Sequence, residues 1–122
     1  MTATKFRRIV LGLDGVSEGS HMGHADFRAA NGRIFASLTA DEKRGMAVLT
    51  PEHQARFIAG APSTFVPAAG AWGRQGCTMI DLAKADEEMV GEALTLAWQT
   101  ISAAKPAGRT PAKKRAAAKR ST

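Results

Sequence analysis

The chain carries a single cysteine, Cys77, so no intrachain disulfide can form. That scarcity suits a reducing cytosol. No apolar run approaches the ~20 residues a membrane span requires. The opening residues, Met1-Thr2-Ala3-Thr4-Lys5-Phe6-Arg7-Arg8, lead into no long apolar stretch with a small-residue cleavage site, which argues against a secretory signal. A cytoplasmic protein with no membrane partner is expected. Catalytic signatures are missing as well: there is no phosphate-cradling glycine loop, no serine-centred elbow and no dinucleotide fingerprint. The acids fall at helix starts and turns, where capping and dipole roles account for them, and nothing pairs Asp26 with Asp81. The expectation is a non-enzymatic protein without a cofactor.

What is present begins with charge. The formal net charge is +6 over 122 residues, a length that suits one domain and one core. Lys105, Arg109, Lys113, Lys114, Arg115, Lys119 and Arg120 form a run without a single acid. Residues 1–104 hold the other ten basic side chains and all eleven acids, so that part is nearly neutral. The basic character belongs to the last eighteen residues, whose Ala/Pro/Lys-rich composition offers nothing to bury. Two parts follow: a folded domain over 1–104 and a disordered basic tail over 105–122.

Phe6, Ile9, Val10 and Leu13 recur at helical spacing and predict a helix over 3–13, weakened and ended by Gly12 and Gly15. Residues 18–30 read as extended. Asn31-Gly32 predicts a type I′ two-residue hairpin turn, in which Ala30 faces Arg33, Ala29 faces Ile34 and Phe27 faces Ala36. That register puts Phe27, Ala29, Ile34, Ala36 and Leu38 on one face. A polar turn at 41–45 leads to a strand at Met46-Ala47-Val48-Leu49. Thr50-Pro51-Glu52 starts a helix that stops at Gly60. A loop containing Trp72-Gly73-Arg74-Gln75-Gly76 precedes a strand with Thr78, Ile80 and Leu82 alternating. Asp86 caps a last helix whose stripe runs Met89, Val90, Ala93, Leu94, Ala97, Trp98 and Ile101. The fold class expected is α+β: a two-layer α-β-β-β-α-β-β-α domain, its antiparallel sheet covered by helices on one face, with the tail appended.

Four phrases in this order resemble the MmcQ/YjbR family of small bacterial proteins. They are Gly19 to Arg28 (Gly-Ser-His-Met-Gly-His-Ala-Asp-Phe-Arg), Asn31 to Ala36, Gly70 to Thr78, and Leu94 to Trp98. Two departures stand out: Ala25 where the family usually has Pro, and Cys77 where it often has Trp. The resemblance implies a fold similar to secretion chaperones and to frataxin, and it implies DNA binding through paired β-hairpins.

His21, His24 and His53 could suggest a metal, but three-residue spacing puts the first two on opposite faces of a strand, so no metal is expected. Cys77 beside Arg74 reads as a small, half-buried thiol rather than a nucleophile, since no base is positioned by the pattern. Trp72 and Arg74 could meet a phosphate or a base; equally, Trp72 could plug the sheet end and Arg74 pair with an acid such as Asp26. The hairpin Arg28 and Arg33, with Lys43 and Arg44, completes a candidate basic patch. Lys113, Lys114, Arg115, Lys119 and Arg120 would neutralise phosphates without sequence preference, as in nucleoid-associated proteins.

Three functional readings follow. In the first, the protein binds DNA or RNA through Arg28, Arg33, Lys43, Arg44, Trp72 and Arg74 and through the tail, which requires the domain's cations to share one surface. In the second, a protein-interaction or chaperone-like module receives a partner on the open sheet face, around Phe35 and Val48. In the third, a small-molecule binder has His21, His24 and Trp72 converging on one concavity.

Overall fold

A computed structural model describes residues 1–105, except for the side chain of His21. Apart from Lys105, the segment read as a tail, with Lys113, Lys114, Arg115, Lys119 and Arg120, lies outside the described residues. The element order is α1 (Ala3–Leu11), β1 (Ser17–His21), β2 (His24–Arg28), β3 (Ile34–Leu38), β4 (Arg44–Val48), α2 (Pro51–Gly60), β5 (Phe65–Pro67), α3 (Gly70–Arg74), β6 (Cys77–Asp81) and α4 (Glu87–Ser102). The strands form one antiparallel sheet in the order β1-β2-β3-β4-β6-β5. The expected α+β architecture is therefore present, with one more strand in the first run and one more helix than the sequence pattern suggests.

Local chemistry explains the helix ends. Thr2, Thr50 and Asp86 each accept a hydrogen bond from a backbone N–H in the first turn of α1, α2 and α4. Each satisfies a donor the helix cannot satisfy itself. Glu52, Glu87 and Glu88 add negative charge at the positive dipole ends of α2 and α4.

Alternation along the strands builds the core. Phe27, Ala36, Ala47 and Thr78 form one cross-strand row, and Leu38, Gly45, Ile80 and Phe65 form another. Apart from Gly45, these side chains are buried, facing Phe6 and Val10 of α1, Phe57 of α2, and Val90, Ala93, Leu94 and Ala97 of α4. The Phe6 and Phe27 rings meet at 6.0 Å and the Phe57 and Phe65 rings at 5.2 Å, both tilted. Helices α1, α2 and α4 share this face of the sheet.

The hairpin between β2 and β3 differs from the expected one. Asn31 does not have a positive φ; the left-handed residue is Gly32, at 85°. Ala29 N–H donates to the Arg33 carbonyl and Gly32 N–H to the Ala29 carbonyl, which closes a three-residue loop. Phe27 faces Ala36 as expected, but Arg28, not Ala29, aligns with Ile34, and a bulge absorbs Phe35. Phe35 therefore enters the core and Ile34 is left exposed. The two-residue turn with two positive φ values occurs instead at Met22-Gly23, splitting the segment read as one extended stretch into β1 and β2.

The asparagine has another task. Its Nδ2 donates to the carbonyls of Ile101 and Ala104, capping the C-terminal end of α4, while its Oδ1 accepts from Arg33 N–H. The hairpin and the longest helix are thus tied together.

Gly45 sits under the Phe6 ring, and a Cβ there would overlap ring carbons. Gly45→Ala should destabilise the domain by about 1–3 kcal/mol through overpacking. Gly91 in α4 has open space around it, so Gly91→Ala should stabilise by up to about 1 kcal/mol through helix propensity. Urea denaturation of both variants checks the pair; equal effects would contradict the packing described.

Candidate functional site

The face of the sheet away from α1, α2 and α4 is less polar than a solvent-facing sheet usually is. Asp26, Ser37, Met46, Met79 and Val66 form a row across it, Arg28 aligns with Ile34, and Val48 pairs with Cys77. A cavity of ≈ 640 Å³ opens on this face. Its floor comes from Ile34, Ser37, Met46, Val48 and Cys77; His24 and Asp26 lie at one end, and Ala68, Ala69 and Trp72 form the opposite wall. Three inter-strand spacings separate β2 from β6, so the floor is roughly 14 Å across.

That wall is built by backbone contact. Gly73 of α3 lies so close to the Ala68 carbonyl that a Cβ would overlap it, and Gly76, at φ 115°, stands in the same relation to the Leu49 carbonyl. Leu49 N–H donates to the Gly76 carbonyl, and Thr78 Oγ1 donates to the same oxygen. Gln54 of α2, itself buried, donates from Nε2 to the Gly73 carbonyl at 2.9 Å and the Cys77 carbonyl at 3.1 Å. These bonds satisfy the end of α3 and fix it against β6. The segment read as a loop is this short helix, and Gln54 escaped the sequence reading because a lone glutamine on a helix carries no pattern.

Trp72 projects from α3 with 69% of its surface exposed, so it does not plug the sheet end. Trp98 provides a contrast: it packs against the core and its Nε1 donates to the Asp14 carbonyl.

At the other end, Asp26 is buried although it sits on the open face. Arg28 holds it, Nε to Oδ1 at 3.1 Å and Nη2 to Oδ2 at 3.4 Å, so the acid expected opposite Arg74 already has its cation. Gly19 on β1 makes room: a Cβ there would lie 2.9 Å from Oδ1. Ser37, directly across from Asp26, forms no side-chain hydrogen bond among the described residues. Burial pushes the Cys77 thiol up from its ordinary range, so it stays protonated at neutral pH; the side chain is buried rather than half-buried as expected.

The candidate cations divide between two ends of the sheet. Arg28, Arg33 and Arg74 lie at the end where Val48 meets Cys77; Lys43 and Arg44 lie four residues along β4, roughly 14 Å away. Near the second pair, Thr39, the Lys43 N–H and the cations of Lys43 and Arg44 lower the carboxyl of Asp41 below its usual range. Arg33 Nη1 reaches the Lys105 carbonyl at 3.4 Å. Arg74 forms no ion pair among the described residues. His24 and Trp72 do meet on one cavity, whereas His53 lies on α2. Phe35, expected on the open face, lies in the core because of the bulge, while Val48 lines the cavity. Among the described residues, no three His, Cys, Asp or Glu side chains are grouped to hold a metal ion, and no helix is long and apolar enough to cross a membrane.

No protein-family model and no curated protein matches the chain. Its fold is shared with the crystal structure of a Deinococcus radiodurans protein with a DUF419 domain. The TM-score is 0.70 at 17% identity, over 84% of this chain and 79% of that one. At that identity the likeness is one of fold.

Because its thiolate is disfavoured, Cys77 should be alkylated by iodoacetamide at pH 8 at least tenfold more slowly than a free cysteine. The rate should climb as pH rises beyond the ordinary thiol range. A rate equal to that of free cysteine, followed by mass spectrometry, would mean the thiol is not buried as described.

Proposed function

We propose that the folded domain is a non-enzymatic binding module whose site is the cavity on the open sheet face, and that its ligand is a small, mainly apolar molecule. One observation carries this reading: an apolar floor spread over β3, β4 and β6 is walled by an exposed tryptophan and closed at one end by His24 and a buried carboxylate. Its size falls within the ≈ 300–1,000 Å³ typical of ligand pockets, and a few polar groups among apolar walls are the usual composition of such sites. A partner segment on the same face finds less support, because Phe35 contributes nothing to it.

A second reading rests on a separate observation. Asn31 and Arg33 grip the chain at Ile101, Ala104 and Lys105, where the basic run begins. Nucleic-acid contact would centre on that end, with Lys113, Lys114, Arg115, Lys119 and Arg120 meeting phosphates and Arg33 and Arg74 as the domain's contribution. Lys43 and Arg44, at the far end, would lie outside one contiguous contact. Membership of the MmcQ/YjbR family, a bacterial origin and a cytoplasmic setting belong to this proposal; the four phrases and the fold shared with a DUF419 protein support them.

For the cavity, a neutral apolar dye such as Nile red should bind the full chain with one site. Met46→Lys, placing a charge on the floor, should weaken it at least tenfold with unchanged circular dichroism. Equal binding by the variant would sink the reading. For the basic run, fluorescence anisotropy with duplex DNA should show log affinity falling linearly with log salt. Replacing Lys113, Lys114, Arg115, Lys119 and Arg120 by Gln should flatten that slope by up to about four units; an unchanged slope would move the contact elsewhere.

A further inference from the structure

We infer that the cavity selects a neutral, planar aromatic molecule bearing one hydrogen-bond donor, such as a phenol or an arylamine on two or three fused rings. This deepens the binding reading given above and rests on it.

Planarity follows from the walls. The floor is the open face of three adjacent strands, β3, β4 and β6, carrying the flexible Met46 and the small Ser37 and Cys77 beside the branched Ile34 and Val48. Ala68 and Ala69 have no side-chain bulk to fill the space between that floor and Trp72. An indole left 69% exposed beside an apolar cavity offers a face for stacking. A saturated ring could fill the volume but would not gain that stacking.

Neutrality follows from charge. Asp26 is the buried carboxylate at the cavity, and Arg28 already neutralises it through two hydrogen bonds. A ligand ion would lose its water against apolar walls with no opposite charge to repay the loss.

The donor follows from what remains unfilled. Each Asp26 oxygen accepts one bond from Arg28 and retains a further lone pair, and Ser37 across from it has no side-chain partner among the described residues. Paired with Arg28, the Asp26 carboxylate only accepts, and the Ser37 hydroxyl can accept as well as donate. A ligand O–H or N–H meets them; a ligand carbonyl meets Asp26 unfavourably.

The test uses the full chain and three matched probes: 2-naphthol, its donor-free ether 2-methoxynaphthalene, and the saturated, non-planar decahydro-2-naphthol. Affinities come from NMR titration, with Nile red displacement alongside. 2-Naphthol should bind about tenfold more tightly than either analogue. Trp72→Leu should erase its advantage over the saturated alcohol, and Ser37→Ala should reduce its advantage over the ether, both with unchanged circular dichroism. Static quenching of tryptophan emission by 2-naphthol should vanish in Trp72→Phe, where Trp98 remains. If Nile red binds but the three probes bind equally, or none binds, the ligand class is wrong while the cavity reading stands. If Nile red fails too, the binding reading itself fails.

Discussion

Seating a five-residue helix directly on backbone is the constraint on which the site depends. With any side chain at Gly73 or Gly76, α3 could not press against the Ala68 and Leu49 carbonyls. The helix would stand off, the Gln54 amide would lose the Gly73 and Cys77 carbonyls, and a buried glutamine would be left unsatisfied, a penalty of roughly 1–3 kcal/mol. So short a helix cannot hold its shape by its own hydrogen bonds. Its geometry is imposed by the strand it leads into and by α2 beneath it. Trp72 is therefore presented from a fixed position rather than from a free loop, and the open sheet face acquires a wall.

The same logic explains why the open face is apolar without being buried. Covering one face with three helices accounts for the core, and in an antiparallel sheet the other face is normally polar. Here the bulge at Phe35 changes the parity of β3, bringing Phe35 inward and turning Ile34 towards the opposite side, next to Met46 and Val48. One extra residue thus contributes to both layers: a phenyl ring for the core and a branched side chain for the cavity floor. Contiguous exposed apolar surface costs solvation and invites association, so its retention beside an exposed indole points to use.

Much of the frame was legible beforehand because it rests on periodicity and capping. The stripe of α4, the caps at Thr50 and Asp86, and the facing of Phe27 with Ala36 all follow from patterns of 3.6 and 2 and from hydroxyl or carboxylate chemistry. The misses have physical causes. Asn-Gly is compatible with a two-residue turn and equally with a type I turn closed by a left-handed glycine; the latter won because Asn31 is engaged by the end of α4, seventy residues away. Met22-Gly23 took the two-residue turn although methionine carries a Cβ penalty at positive φ, a tertiary choice that no propensity signals. Of the cavity, Trp72, His24, Asp26 and Cys77 stood out in the sequence, but Ile34, Ser37 and Met46 look like ordinary strand residues until the register brings them together.

Charge separates the two binding chemistries proposed for the chain. Over 1–104 acids and bases nearly cancel, and much of that balance is local: Arg7 joins Glu18 and Glu42, Lys5 joins Glu87, Arg28 joins Asp26. Little net field is left to steer a polyanion to the sheet, and of the candidate cations Arg33 and Arg74 lie towards one end of it and Lys43 and Arg44 towards the other. The seven positive charges from Lys105 onward need no fold to meet a phosphate backbone, and their effect weakens as salt rises. A neutral ligand on the open face would depend instead on desolvation and stacking, which salt barely screens. The two proposed activities should therefore differ in their dependence on ionic strength, and assigning one chemistry to the whole chain from its net charge would overlook that the excess charge lies in the last eighteen residues.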